Sequence, residues 1–192
     1  FMSSVPTLWK RVVSEGIRPR KKTLKRVHVG SAPFSQGLWS DVTGWAQTHK
    51  VMNMYGITET ANWLAGASFS ENNPTEGLIG KMWGGQAMVK LSDGTTAPSG
   101  HGELLVQSPS LMRGYLHLKK ETKAILRDGW FHTGDIGQIK EDGTMILTGR
   151  IGHIINRGGL KIHPEDIDLL LERHNNVKEA CSFAIPDDTD GE

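Results

Sequence analysis

Between residues 24 and 60 the sequence changes its hydrophobic period in an order that few folds accept. Leu24-Lys25-Arg26-Val27-His28-Val29 alternates like a buried strand and runs into the tight loop Gly30-Ser31-Ala32-Pro33. Residues 35–48 then carry Leu38, Val42 and Trp45 at helical spacing. Val51-Met52-Asn53-Met54 is a second short strand, and the loop Tyr55-Gly56-Ile57-Thr58-Glu59-Thr60 follows it. Strand, loop, helix, strand, loop predicts a parallel α/β sheet. Ligands on such sheets bind beyond the carboxyl ends of the strands, which directs attention to residues 30–33 and 55–60. Ahead of this region a short amphipathic helix is expected within residues 3–15, with Ser4 as cap and Leu8, Val12 and Val13 as its apolar stripe.

From about residue 75 the helical period fades. Short alternating runs at 87–91, 102–107, 137–140 and 145–148 are separated by turns such as Ser92-Asp93-Gly94 and Glu141-Asp142-Gly143. A small antiparallel sheet or distorted barrel is expected, interrupted by one helix near 119–126. After Arg150 the texture changes again. Gly158-Gly159 turns into Leu160-Lys161-Ile162, and Pro164 opens a helix with Glu165 and Asp166 in its first turn. Ile167, Leu170 and Leu171 form the stripe of that helix, Asn175-Asn176 ends it, and residues 177–185 read as a strand. The expected organisation is an α/β portion over 1–74, a β-barrel-like subdomain over 75–149, a hinge at 150–153, and the start of a C-terminal α+β domain over 154–192.

Charge excludes little. The net charge of +1 comes from 22 basic and 21 acidic residues, so no polyanionic partner is implied. Residues 18–26 hold six Lys/Arg, a pattern that suits either a nucleic-acid or partner-binding arm or a solvated loop. No aromatic residue is interleaved for base stacking, which favours the loop. The single cysteine, Cys181, excludes an internal disulfide and favours a reducing, cytoplasmic compartment. Its apolar neighbours Ala180, Phe183, Ala184 and Ile185 suggest a buried structural thiol. No apolar run reaches membrane-spanning length.

Familiar catalytic signatures are missing: no G-x-x-x-x-G-K-[ST], no G-x-G-x-x-G, no G-x-S-x-G, and no H-x-x-x-H among the eight histidines. Polar groups at loop positions remain. Glu59 beside Thr58 offers oxygen ligands for Mg²⁺ and a phosphate, or else Thr58 caps a helix. Asp135, in the turn Thr133-Gly134-Asp135, has two acceptor oxygens that suit adjacent sugar hydroxyls, or is an ordinary turn aspartate. Arg150 suits a phosphate or ribose clamp, or a salt bridge at a domain seam.

Six stretches in order carry a more specific signal: Tyr55-Gly56-Ile57-Thr58-Glu59, Gly102-Glu103-Leu104-Leu105-Val106, Arg113-Gly114-Tyr115, Gly129-Trp130-Phe131-His132-Thr133-Gly134-Asp135, Gly149-Arg150, and Asn156-Arg157-Gly158-Gly159-Leu160-Lys161-Ile162. Together they resemble the adenylate-forming superfamily. With Pro164-Glu165-Asp166-Ile167, the wording is most similar to the AMP-dependent acyl-CoA synthetase branch, the fatty-acid CoA ligases. The resemblance implies activation of a carboxylic acid by ATP and Mg²⁺ to an acyl-adenylate, then transfer to coenzyme A, with no nucleic-acid partner.

Residue by residue, the resemblance implies that Gly30, Ser31, Ala32 and Pro33 line the adenine and acyl pocket. Asn53 would meet the adenine amino group, Tyr55 would stack on its ring and Gly56 continues that binding stretch. Thr58 would bind phosphate, Glu59 the magnesium, Asp135 the ribose hydroxyls, and Arg150 the ribose or phosphate. Lys161 falls near the phosphates and Gly158-Gly159 where coenzyme A passes. The hinge falls at Gly152. The superfamily's pyrophosphate-gripping loop and its late catalytic lysine have no counterpart among the 192 residues, so the resemblance implies an internal fragment that is inactive alone. The contrasting expectation is a non-catalytic binding module that uses the basic 18–26 arm.

Overall fold

A parallel edge leads into an antiparallel expanse in one 11-stranded sheet. The computed structural model describes residues 1–17, 19, 24–32, 34–69, 75–157, 160–174 and 176–186, apart from the side chains of Asn62, Asn156 and Lys161. In chain order, β1 (Met2–Ser4), α1 (Pro6–Ser14), β2 (Val27–Gly30), α2 (Gln36–Ala46) and β3 (Val51–Ile57) make two βαβ steps, with β1, β2 and β3 side by side and parallel. Pro6 starts α1 where a missing amide hydrogen costs nothing. The N-cap of α1 is Val5 without a side-chain cap, and Ser4 pairs with Val29 in β1, so the expected serine cap is corrected. Edge pairing had a prior claim on that residue. Ser35 does cap α2, accepting the Leu38 amide at 3.3 Å. The buried Trp39 indole donates to the Val51 carbonyl at 3.2 Å and so fixes α2 on β3.

The next strands reverse direction. β4 (Asn62–Ser68) runs antiparallel to β3, and β5 (Leu78–Met82) antiparallel to β4. β5 also pairs with β11 (Met145–Arg150), which continues through β10 (Trp130–Ile139), β8 (Gly100–Gln107) and β6 (Gln86–Lys90) to β7 (Thr96–Ala97) at the edge. The short β9 (Leu126–Arg127), after α3 (Lys119–Ile125), pairs with β10. The sheet changes from parallel to antiparallel pairing between β3 and β4, ahead of the change of texture near residue 75, and it continues unbroken across both. Two apolar clusters cover it. One joins Trp9, Phe34 and Trp39 to Val27, Val29 and Val51 beneath the helices. The other gathers Leu64, Val89, Leu104, Phe131 and Met145 in the antiparallel half.

Past Arg150 the chain makes a 3-10 turn, Ile151–His153, then a two-stranded ribbon of β12 (Ile155–Arg157) and β13 (Leu160–Ile162), then α4 (Pro164–Glu172). Glu165 and Asp166 sit in the first turn of α4, as expected beside exposed helix-terminal amides. Position 149 has no side chain, and a methyl group there would run into the His163 ring. Lys10 of α1 meets Glu172 of α4 at 2.8 Å. The strand expected over 177–185 is absent: among the described residues this segment has no strand partner. Without a neighbouring edge its larger apolar side chains stay out, with Phe183 71% and Ile185 65% exposed, while Val177 and Ala180 are half-buried. Cys181 is exposed too, which corrects the buried thiol. Of the basic stretch 18–26, residues 18 and 20–23 lie outside the described residues, as do Pro33, Gly158, Gly159, Asn175 and the tail 187–192. No helix among the described residues is long and apolar enough to cross a membrane.

Gly80 lies in β5, the strand shared by the two halves, at φ 76°, and the Gly66 carbonyl occupies the place of its missing Cβ. Gly80→Ala should therefore lower unfolding stability by about 2 kcal/mol or more. Gly84→Ala, where nothing lies within 4 Å of the added methyl, should change it by less than about 0.5 kcal/mol. Urea unfolding of both variants checks the contrast.

Candidate functional site

Burial along β10 alternates strictly, and Phe131, Thr133, Asp135, Gly137 and Ile139 share the inward face. The period of two that buries Phe131 and Ile139 thus carries the Asp135 carboxylate inward as well. Its side chain is only 12% exposed. The Tyr55 hydroxyl, from the end of β3, donates to Asp135 Oδ2 at 2.6 Å. On the other side, the register of β10 and β11 sets Asp135 opposite Arg150, whose Nε lies 3.6 Å from Oδ1. That separation makes an ion pair rather than a hydrogen bond. Burial pushes the Asp135 carboxyl above the usual carboxylate range. The Tyr55 hydrogen bond and Arg150 pull it back, and the charge of Glu59 adds to the rise. Burial, followed by the adjoining Asp135 charge, raises the Tyr55 phenol well above its ordinary value.

The expected turn at Thr133-Gly134-Asp135 is instead an irregular stretch inside a strand. His132 pairs with Leu105 and Ile136 with Glu103, so three residues lie opposite Leu104 alone. Gly134, at φ 72°, supplies the left-handed backbone that the irregularity needs. The register pairs that flank it, His132 with Leu105 and Ile136 with Glu103, keep the segment in the strand where an isolated Thr-Gly-Asp would turn.

Glu59 stands in the 3-10 turn Thr58–Thr60 after β3. Ile57 takes the N-cap position without a side-chain bond, so Thr58 is exposed and does not cap. Glu59 is held from outside the turn. The Tyr115 hydroxyl donates to its Oε1 at 2.6 Å, which raises the Tyr115 phenol, and the Met112 amide donates to its carbonyl at 2.7 Å. Among the described residues no group of three or more His, Cys, Asp or Glu side chains could hold a metal ion. A lone, partly buried carboxylate with one oxygen engaged still fits Mg²⁺, which keeps most of its ligands as water and substrate phosphate.

The remaining expected residues separate into three groups. Gly30, in register with Met54, ends β2, and a methyl on it would meet the Met54 carbonyl at 2.6 Å and the Trp63 ring at 2.9 Å. Ser31, in the left-handed region at φ 69°, and Ala32 continue from it as an exposed loop. Asn53 is buried on β3, and one of its amide hydrogens is used by the Leu78 carbonyl at 2.7 Å. Gly56 sits at the register shift between β3 and β4. Lys161 pairs with Asn156 through its backbone in the β12–β13 ribbon, and its side chain is outside the description, as are Gly158 and Gly159. The structure therefore brings Tyr55, Asp135 and Arg150 into contact, with Glu59 near enough to act on Asp135. Three participants had no role assigned from sequence: Tyr115, Glu103 and His132. A carboxylate written into the apolar strand Gly102-Glu103-Leu104-Leu105-Val106 was the signal for Glu103.

The family described as AMP-binding enzyme matches residues 1–116. A probable CoA ligase of Humulus lupulus is 31% identical over 200 residues, spanning 100% of this chain and 37% of its own length. A 2-succinylbenzoate–CoA ligase of Bacillus pumilus is 36% identical over 194 residues, spanning 100% of this chain and 39% of its own. A long-chain-fatty-acid–CoA ligase of Bacillus subtilis is 35% identical over 146 residues, 74% of this chain and 26% of its own. The chain thus spans well under half the length of the curated relatives it matches. Among solved structures, the amide bond synthetase of Marinactinospora thermotolerans superposes with TM-score 0.86 at 26% identity, over 98% of this chain and 39% of that one. The o-succinylbenzoate CoA synthetase of Bacillus subtilis, in complex with its acyl-adenylate intermediate, gives TM-score 0.84 at 26% identity, over 99% of this chain and 39% of that one. With the family match covering more than half of its residues, this chain belongs to the AMP-binding enzyme family of the adenylate-forming superfamily, and the curated relatives named above are CoA ligases.

Proposed function

We propose that the chain is the nucleotide-handling part of an ATP-dependent acyl-CoA ligase. The contact of Asp135 with Tyr55 and Arg150 carries this reading. Tyr55 occupies one lone pair of a carboxylate that offers about four, so two adjacent ribose hydroxyls can still donate to it. Arg150, with a side chain 57% exposed, can swing its guanidinium from Asp135 towards phosphate. Thr58 offers an exposed hydroxyl for a phosphate oxygen, and Glu59 beside it would hold Mg²⁺, which supplies charge neutralisation when bound.

In the first half-reaction a substrate carboxylate oxygen forms a bond to the α-phosphorus, and the bond from that phosphorus to the pyrophosphate oxygen breaks. Arg150 offsets the gathering negative charge, and Asp135 orients the ribose end. In the second, the deprotonated thiol of coenzyme A forms a bond to the acyl carbon, and AMP leaves. Gly158-Gly159 and Lys161 are assigned to the thiol channel and the phosphates on the resemblance alone. The division at 150–153 is proposed as the hinge between the two half-reactions. A fatty acid is the first acid to test, supported by the long-chain-fatty-acid relative and by the apolar Trp63 ring against Gly30.

The direct experiment incubates the full-length protein that carries this chain with ATP, Mg²⁺, coenzyme A and a panel of fatty and aromatic acids. AMP and acyl-CoA should form together with one class of acid. The 192-residue chain by itself should form neither, and substantial AMP release from it would overturn the expected inactivity.

Asp135→Asn keeps one oxygen to accept the Tyr55 hydroxyl but removes the charge. Charge-assisted hydrogen bonds contribute about 1.5–3 kcal/mol each, so the KM for ATP should rise about tenfold or more. An unchanged KM in a folded variant would remove the ribose role.

Gly152 lies in the 3-10 turn after β11, with nothing within 4 Å of an added Cβ. Proline suits the first turn of such a helix and fixes φ near −65°. Gly152→Pro should therefore favour the observed pose and slow at least one half-reaction by about tenfold, equivalent to ~1.4 kcal/mol. Pyrophosphate exchange and thioester formation, measured on one preparation, would show both rates intact if the chain does not turn there.

A further inference from the structure

The irregular stretch of β10 leaves a gap that backbone pairing does not close. With Thr133, Gly134 and Asp135 all opposite Leu104, the regular ladder lapses where the carboxylate has to be aimed. Side chains take over. Thr133 Oγ1 donates to the Leu104 carbonyl at 2.7 Å and accepts the Asp135 amide at 3.0 Å. Glu103 Oε1 accepts the Gly134 amide at 3.3 Å, and Oε2 lies 3.2 Å from His132 Nδ1. A carboxylate only accepts, so that ring nitrogen carries the proton, in a neutral or a charged imidazole. The Glu103 and His132 side chains are each 14% exposed.

We propose that Glu103 is a positioning residue for nucleotide binding, acting through the Gly134 backbone on the direction of Asp135, with His132 holding the carboxylate in place. The proposal rests on the reading of Asp135 as the ribose acceptor. Replacing a buried polar or ionic pair by apolar residues of similar volume is often neutral or stabilising, so stability alone does not explain an acid at this point in an apolar strand. What Glu103 supplies, and an apolar residue could not, is a fixed acceptor for the backbone amide of a glycine that is free to take other φ values. Side-chain pairs of this kind hold a ligand-contacting group in its productive geometry.

The test measures AMP affinity calorimetrically, and steady-state kinetics, in the full-length protein carrying Glu103→Ala, Glu103→Gln, Asp135→Asn and the Glu103→Ala/Asp135→Asn pair. Glu103→Ala should weaken AMP binding about tenfold, with kcat at saturating ATP and the KM for the acid within about threefold, and it should add nothing in the Asp135→Asn background. Glu103→Gln keeps an acceptor for the Gly134 amide and should recover most of the affinity. If Glu103→Ala does not fold, Glu103→Asp, whose carboxylate falls one methylene short, takes its place in the same comparison. Full additivity in the pair, or a Gln variant as weak as the Ala variant, would overturn the proposal. Weak binding by Asp135→Asn with normal binding by Glu103→Ala would overturn the proposal alone. Normal binding by Asp135→Asn would remove the ribose reading and the proposal with it.

Discussion

The hydrogen bond from Tyr55 to Asp135 joins residues 80 positions apart and ties the carboxyl end of a parallel strand to the middle of an antiparallel one. Everything in the candidate site is placed by what makes that bond possible. β3 must end near β10, which requires β4, β5 and β11 between them in the sheet. The inward period of β10 must bring Asp135 to the same side as Phe131 and Ile139. Burial then raises the energy of the carboxylate, and the phenol and guanidinium beside it recover part of that cost. A carboxylate held in that way is already desolvated and oriented before any ligand reaches it.

Most of this framework was legible in the chain itself. The alternation of residues 24–29 and the stripe at Leu38 and Val42 are local signals, and the parallel edge followed from them. Local signals failed where the outcome depended on a neighbour. Ser4 reads as a cap until β2 offers it an edge, and Thr133-Gly134-Asp135 reads as a turn until the paired residues before and after it carry it within β10. Residues 177–185 fail in the opposite sense: the alternation is that of a strand, but no edge is there to receive it among the described residues. Propensity for a strand is a preference for a half-buried pleated surface, and it is void without one.

The site shows the same division. Tyr55, Glu59, Asp135 and Arg150 were legible as a set because six spaced stretches mark them, not because any one is distinctive. Their supports were not, because support is a matter of contact. Tyr115 reaches Glu59 across 56 positions, and Glu103 reaches Gly134 across 31. No window of sequence contains either pair, although each member sits in a stretch that resembles the superfamily.

The strand β5 has a consequence of its own. It is hydrogen-bonded to β4 on one side and β11 on the other, and its Leu78 and Ile79 side chains enter different apolar clusters. Its Leu78 carbonyl also takes the Asn53 amide. Two cores that share one strand favour melting together, because losing either leaves the other with a bare edge and an open flank. Packing and pairing therefore run across the boundary visible in the texture of the sequence, and the groups on β3 and β10 are expected to be lost in a single transition.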